Sequence, residues 1–355
     1  MRAHGINYDT GFFNAGTSTH EPFDAERVRR EMRVIRDDLH CTAVRVTGGD
    51  ADRMEIAARH AADAGLEVWF CPFTNGLTQA ELLVLLADCA ERAERLRRSG
   101  AEVVLLTGSE VSLFTLGFLP GDTLAERLAL IADPLRVRPL VAGVRARMHD
   151  FLRRAVDVVR ARFGGKVSYA SLPFEGVDWT AFDVIATDAG YRSAATAPNF
   201  RDLIRAFVAQ GHAQGKPVAV TEFGCGTYRG AADSGKDAHA IVAWGDDGRP
   251  THLKGGYERD EAEQATYLRE LLEVFETEGV DAAFVYTFAR YDLPHRDDPR
   301  VDLDTASAGV VKVLEGRGGD RYPDMPWEPK AAFDALAACY AQPPSSRYQA
   351  ENARS

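Results

Sequence analysis

Short apolar runs alternate along this chain with longer segments in which apolar positions recur every third or fourth residue. The short runs read as strands: residues 5–9, 42–47 (TAVRVT), 66–72 (LEVWFCP), 102–110, 166–172 (KVSYASL), 183–188 (DVIATD), 217–223 and 282–288 (AAFVYTF). The longer segments read as helices. Asp24 caps one that runs to residue 39, with Val28, Met32, Ile35 and Leu39 on one face. Thr78-x-x-Glu81 is a capping box that opens a long helix stopping near Gly100. Further helices are predicted over 51–64, 142–163, 198–214, 261–278 and 329–340, with a short one opened by Thr123-x-x-Glu126.

Near-continuous apolar strands alternating with helices imply a parallel sheet covered by helices. Eight such units in one chain favour a closed (β/α)8 TIM barrel over an open doubly wound sheet. The first loop, TGFFNAG at 10–16, also lacks the GxGxxG spacing of a dinucleotide site. The expected organisation is one barrel domain over 1–341, with a disordered tail over 342–355. Two loops stand out by length, one after the fourth strand (111–140) and one after the seventh (226–259).

Charge narrows the partners. The net charge is −11 and the isoelectric point about 5.4, which disfavours nucleic acid and anionic membrane as partners. No long uncharged apolar run suggests a membrane span, and MRAHGINYDTGFF has no apolar signal core, so a cytoplasmic protein is expected. The five cysteines are scattered without a CxxC pair, which suggests neither a disulfide frame nor a zinc knuckle. Cys225, beside a candidate site, reads as a small apolar filler.

The chemistry gathers at the predicted strand ends, where a barrel places its site. In order these are Asn7, Tyr8 and Asp9; Arg45; Phe73 and Asn75; Ser109 and Glu110; Tyr169; Asp188 and Tyr191; Glu222; and Phe288 and Arg290. Glu110 closes one apolar strand and Glu222, in VTEFG, another. An unpaired carboxylate is costly to bury, so such a group is paired, metal-bound or working. Two carboxylates three strands apart can flank a sugar, one protonating the leaving oxygen and the other attacking the anomeric carbon. No histidine falls at a strand end, so neither a cofactor nor a metal site is expected.

In these residues the chain resembles the clan A glycoside hydrolases, whose barrels carry an acid/base Glu after strand four and a nucleophile Glu after strand seven. TGSEVSLF (107–114) matches the first position and VTEFG (220–224) the second. The resemblance implies Glu110 as acid/base, Glu222 as nucleophile, Arg45 as the nucleophile's supporting arginine and Tyr191 as its hydrogen-bonding tyrosine. It places Phe288 where the clan often has an aromatic sugar platform. Two positions depart from the pattern. Ser109 stands where the clan has an Asn that binds the sugar 2-hydroxyl, and Phe73 where many members have a histidine. The chain also resembles actinobacterial chains that bear an abortive-infection label, and its Ala/Arg/Asp-rich composition fits a high-GC source.

The resemblance implies a retaining O-glycoside hydrolase or transglycosylase on a small glycoside. Asn7, Tyr8, Arg45, Ser109, Tyr169, Asp188, Tyr191, Trp244 and Phe288 are the expected substrate contacts; Arg45 is also a natural ion-pair partner for Glu222. Two other classes stay open. One is a barrel isomerase or lyase that binds a divalent metal through Glu110, Asp188 and Glu222. The other is a non-catalytic binding or phage-defence protein on a glycosidase-like barrel.

Overall fold

The computed structural model describes residues 1–245 and 247–341, and its main sheet is a closed, all-parallel barrel of eight strands. In chain order these are β1 (Ala3–Asp9), β2 (Ala43–Gly48), β3 (Glu67–Pro72), β4 (Val103–Ser109), β5 (Lys166–Ser171), β6 (Ile185–Thr187), β7 (Val218–Phe223) and β8 (Ala282–Val285). Each pairs with its neighbour in sequence, and β8 closes the ring on β1, with Ala3 opposite Ala282 and Ile6 opposite Val285. The tail predicted over 342–355 lies outside the described residues.

Seven long helices pack outside: α1 (Ala25–Asp37), α2 (Ala51–Asp63), α3 (Gln79–Arg98), α4 (Val141–Arg160), α5 (Phe200–Ala213), α6 (Glu261–Glu278) and α7 (Ala331–Tyr340). Between β5 and β6 two 3-10 turns, Pro173–Glu175 and Trp179–Ala181, take the place of a helix. The sequence-level caps are made. Asp24 accepts from the N–H groups of Glu26 and Arg27, and Thr78 and Glu81 cap each other's backbone. Among the described residues no helix is long and apolar enough to cross a membrane.

Strand alternation sorts the side chains into two layers. Outward residues such as Ile6, Val44, Phe70 and Leu105 pack against the helices. Inward, alanines at 3, 43, 170, 186, 219 and 282 leave space that Trp69 and Phe284 fill, their ring centroids 4.8 Å apart. Above this plug, toward the C-terminal strand ends, the buried positions turn polar with Asn7, Arg45, Ser109, Asp188 and Thr221.

The two long loops are built rather than loose. The one after β4 carries helical turns at Val111–Phe114, Leu124–Ile131 and Pro134–Val137. The one after β7, irregular by sequence, holds a turn at Ala231–Ser234, a 3-10 segment at Gly235–Ile241 and a hairpin pairing Val242–Trp244 with Pro250–Leu253. Its base is tied to the body. Glu263 accepts from the N–H groups of Gly230 and Ala232, and Lys330 donates to Thr227 Oγ1 at 2.9 Å.

Candidate active site

Two strands of the barrel carry one residue more than their partner, and both lead to a carboxylate. On β7, Val220 faces Ala283 and Phe223 faces Val285, so three steps oppose two. On β4, Leu106 faces Ser168 and Ser109 faces Ala170, again three against two. Such a bulge turns the following side chain out of strict alternation. By parity Glu222 belongs with outward-facing Val218 and Val220. The bulge instead brings it to the inward Arg45, whose Nη1 donates to Glu222 Oε1 at 2.8 Å. Tyr191 donates its hydroxyl proton to Glu222 Oε2 at 3.1 Å. Gly190 makes that reach possible: its N–H donates to the Glu222 carbonyl at 3.1 Å, and a Cβ there would collide with Val220 and that same carbonyl.

Glu110 is set by its backbone. It lies in the left-handed region, φ 45° and ψ 40°, a conformation an ordinary residue adopts only when its surroundings impose it. The surroundings are specific. Its N–H donates to the Ala170 carbonyl at 2.9 Å, and its own carbonyl accepts from Leu113 at 2.8 Å. Gly108, at φ +124°, turns the chain before it, where a Cβ would meet Val111 at 2.7 Å. The next residue, Val111, donates its N–H to the Tyr169 hydroxyl at 2.8 Å, and that hydroxyl donates to Glu175 Oε1 at 2.8 Å. Glu175 also accepts from the N–H groups of Ser112 and Leu172.

Beneath the pair lies a buried polar layer. Arg45 Nη1 is shared among Glu222, Asp188 Oδ1 at 3.2 Å, Asn7 Oδ1 at 3.1 Å and the Thr221 carbonyl at 3.2 Å. Ser109 Oγ donates to the other Asp188 oxygen at 2.6 Å. The side chains of Arg45 and Asp188 are 0% exposed, whereas Glu222 keeps 11%. Solvent, and therefore a substrate, meets Glu222 and not the two groups behind it.

Several expected substrate contacts therefore have other duties. Asn7 braces the layer from below, its Nδ2 donating to the Thr221 carbonyl at 2.9 Å. Tyr8, next in β1, points outward and gives its hydroxyl proton to Glu31, a buried carboxylate of α1 that also accepts from Tyr291 and Trp327. Phe288 is fully buried between Tyr8 and Trp327 and is no platform for a sugar. Tyr169 faces outward as well and holds the turn after Glu110 from behind. Trp244 stands on the hairpin after β7, 46% exposed; the turn of that hairpin, at Gly248, lies against the loop after β1.

Other aromatic and charged residues stand beyond the strand ends. After β8 the peptide Tyr286–Thr287 is cis, and Tyr286, partly exposed, lies near enough to Glu222 to feel its charge. Arg290 donates to the Tyr286 hydroxyl at 3.3 Å and forks onto Asp292. Phe12, Phe73 and Phe114, from the loops after β1, β3 and β4, form a partly exposed aromatic corner with centroids 4.8–5.3 Å apart. The apolar letters after three different strands were the available signal. Glu175 had none, since its role depends on the short β5–β6 connection.

Burial governs the protons. It pushes the Glu110 carboxyl well above the ordinary carboxylate range, with the charges of Asp188 and Glu222 adding and the exposed Lys236 ammonium opposing. Burial, then the Asp188 charge, pushes Glu222 up to about 7, against the downward pull of Arg45 and Tyr191. Arg45 and Tyr191 thus both favour the ionised form of Glu222, and burial with the Asp188 charge outweighs them. The guanidinium is divided between two carboxylates, and neither has it whole. That guanidinium also sits between Asp188 and Glu222, and among the described residues no group of three or more His, Cys, Asp or Glu is placed to hold a metal.

No protein-family model matches this chain, and no curated protein sequence does. Solved structures share its fold. A GH113 β-1,4-mannanase superposes on 97% of this chain and 100% of its own length, with a TM-score of 0.59 and 18% identity. The GH113 β-mannanase of Alicyclobacillus acidocaldarius covers 96% of this chain and 97% of its own, at a TM-score of 0.57 and 16% identity. Bacteroides uniformis β-glucuronidase 3 matches 96% of this chain with 38% of its length, at 0.57 and 14%. Nothing in these likenesses supports the abortive-infection label. What they establish is architecture: the chain shares its (β/α)8 barrel with these glycoside hydrolases, over nearly the whole length of the two mannanases.

Proposed function

We propose that the protein is a retaining O-glycoside hydrolase or transglycosylase acting on a small glycoside, with Glu222 as nucleophile and Glu110 as acid/base. One observation carries this reading. A carboxylate held at both oxygens by Arg45 and Tyr191 shares the barrel mouth with a second, partly exposed carboxyl, Glu110, that desolvation and the neighbouring charges push well above the ordinary carboxylate range. Glu222 attacks the anomeric carbon as the glycosidic C–O bond breaks, and the leaving oxygen takes the Glu110 proton. In the second half, Glu110 as carboxylate removes a proton from water or an acceptor hydroxyl, whose oxygen displaces Glu222 from the anomeric carbon. Chemistry needs Glu222 ionised and Glu110 protonated, so the acid limb of the rate profile is expected near pH 7.

The test is mass spectrometry of the intact protein after incubation with 2-deoxy-2-fluoro glycosyl fluorides. The mannosyl and glucuronyl reagents come first, because the structural neighbours are a β-1,4-mannanase and a β-glucuronidase. A mass gain mapped to the peptide that contains Glu222 is the expected result. A gain mapped to the Glu110 peptide would reverse the assignment, and no gain across a full sugar panel would turn weight to the binding-protein reading.

A further inference from the structure

Asp188 has no exposed surface, yet it touches both halves of the site. One oxygen meets Arg45 at 3.2 Å, on the same nitrogen that holds Glu222. The other accepts from Ser109 at 2.6 Å, and Ser109 is covalently next to Glu110. We propose that Asp188 is a positioning residue that couples the two carboxylates of the mouth, acting on Glu222 through their shared guanidinium and on the Glu110 strand end through Ser109. It cannot reach a substrate, so its effect passes through those two neighbours.

The consequence is a proton count. Two carboxylates share one guanidinium and a third, Glu110, stands within reach of their charge, so leaving all three charged would crowd uncompensated negative charge into the mouth. The excess is relieved by a proton on the mouth pair. The groups around Asp188 come from every strand end nearby: Arg45 on β2, Cys71 on β3, Glu110 on β4, Tyr169 on β5, Tyr191 after β6 and Glu222 on β7. Lys236, on the loop after β7, and Glu175 also act on Glu110, and the Glu222 charge in turn acts on Tyr286. Of the charged groups in this shell, Asp188 raises both Glu110 and Glu222 the most.

The inference takes the pair from the glycosidase reading, but its test uses no turnover, so the two can fail separately. The protein is labelled with ¹³C at the glutamate carboxyl carbon and titrated by NMR, with Glu110→Gln and Glu222→Gln assigning the two resonances. In Asp188→Asn both midpoints are expected to move down by about one pH unit, about tenfold in acid dissociation constant, because a negative charge has gone and Arg45 is freed for Glu222. Midpoints that stay in place in a folded variant would overturn the proposal, since a merely structural Asp188 would not move them. Should Asp188→Asn not fold, Ser109→Ala takes its place. Removing that hydrogen bond takes away the hydroxyl dipole that partly offsets the Asp188 charge, so both midpoints are expected to rise by a smaller step, about twofold in the constant. Midpoints unmoved in Ser109→Ala would equally overturn the proposal.

Discussion

Glu222 lies at the end of a strand that carries one extra residue and Glu110 directly follows another, but they are fixed by different means. Glu222 is gripped through its carboxylate, one oxygen on Arg45 and the other on Tyr191. Glu110 is fixed through its backbone, in a left-handed turn tied to Ala170 and backed by Tyr169 and Glu175. A carboxylate held at both oxygens has its line of approach set in advance, as a nucleophile requires. One carried on a fixed backbone and pushed above the usual carboxylate range can surrender its proton and take it back, as an acid/base requires. Under the proposed roles the same kind of bulge serves two chemical ends, and what packs behind each strand end decides which.

The largest expected effects break this comparison directly. Under the proposed roles, Glu222→Ala lowers kcat/KM by about 10⁴-fold or more, the scale for loss of a reacting group. Glu110→Ala costs about 10²–10⁴-fold on an alkyl glycoside. It costs far less on a dinitrophenyl glycoside, whose leaving group needs no proton. Measuring both variants on both substrates decides the matter: equal losses on the two leaving groups for Glu110→Ala would remove it from the acid role.

A smaller effect is expected from the brace behind Glu110. Tyr169→Phe removes the hydroxyl that accepts from Val111 and donates to Glu175. Displacing the turn without touching the carboxyl is expected to lower kcat by about 10–10²-fold with KM little changed. Steady-state kinetics on an alkyl glycoside check this. A rise in KM at constant kcat would mean that Tyr169 contacts substrate after all, as first read from the sequence.

That misreading shows where sequence stops informing. The barrel itself was legible, because apolar runs and capping residues such as Asp24 and Thr78 are local signals that the packing obeys. The strand ends bearing Glu110, Glu222, Arg45 and Asp188 were legible for the same reason. Which way a neighbour points was not. Asn7 and Tyr8 are adjacent and face opposite layers, and Tyr169 and Phe288 fell on the outer one. The bulges that re-aim Glu222 and Ser109 depend on pairing with β8 and β5, a relation between distant segments that no single stretch encodes. The apolar run through Phe288 overshoots β8 by three residues, since the strand ends at Val285 and Tyr286 already lies beyond it.

The smallest expected effect concerns stability, and it turns on sign. The Glu110 carboxyl holds its proton more tightly folded than unfolded, where a glutamate titrates near about 4.3. Its contribution is therefore fully present below that value and is lost as pH rises through the folded value. Glu110→Gln keeps the shape of the protonated form and cannot ionise. At pH 5 the variant is expected to melt with the wild type, and at pH 8 above it. Glu222→Gln, whose folded value is about 7, is expected to gain less, because it also surrenders a charged partner of Arg45. Scanning calorimetry of both variants at the two pH values sharpens the contrast between the strand ends. A Glu110→Gln protein melting below the wild type at pH 8 would mean that Glu110 is a stabilised charge like any paired carboxylate, and the division of roles drawn from burial would fall with it.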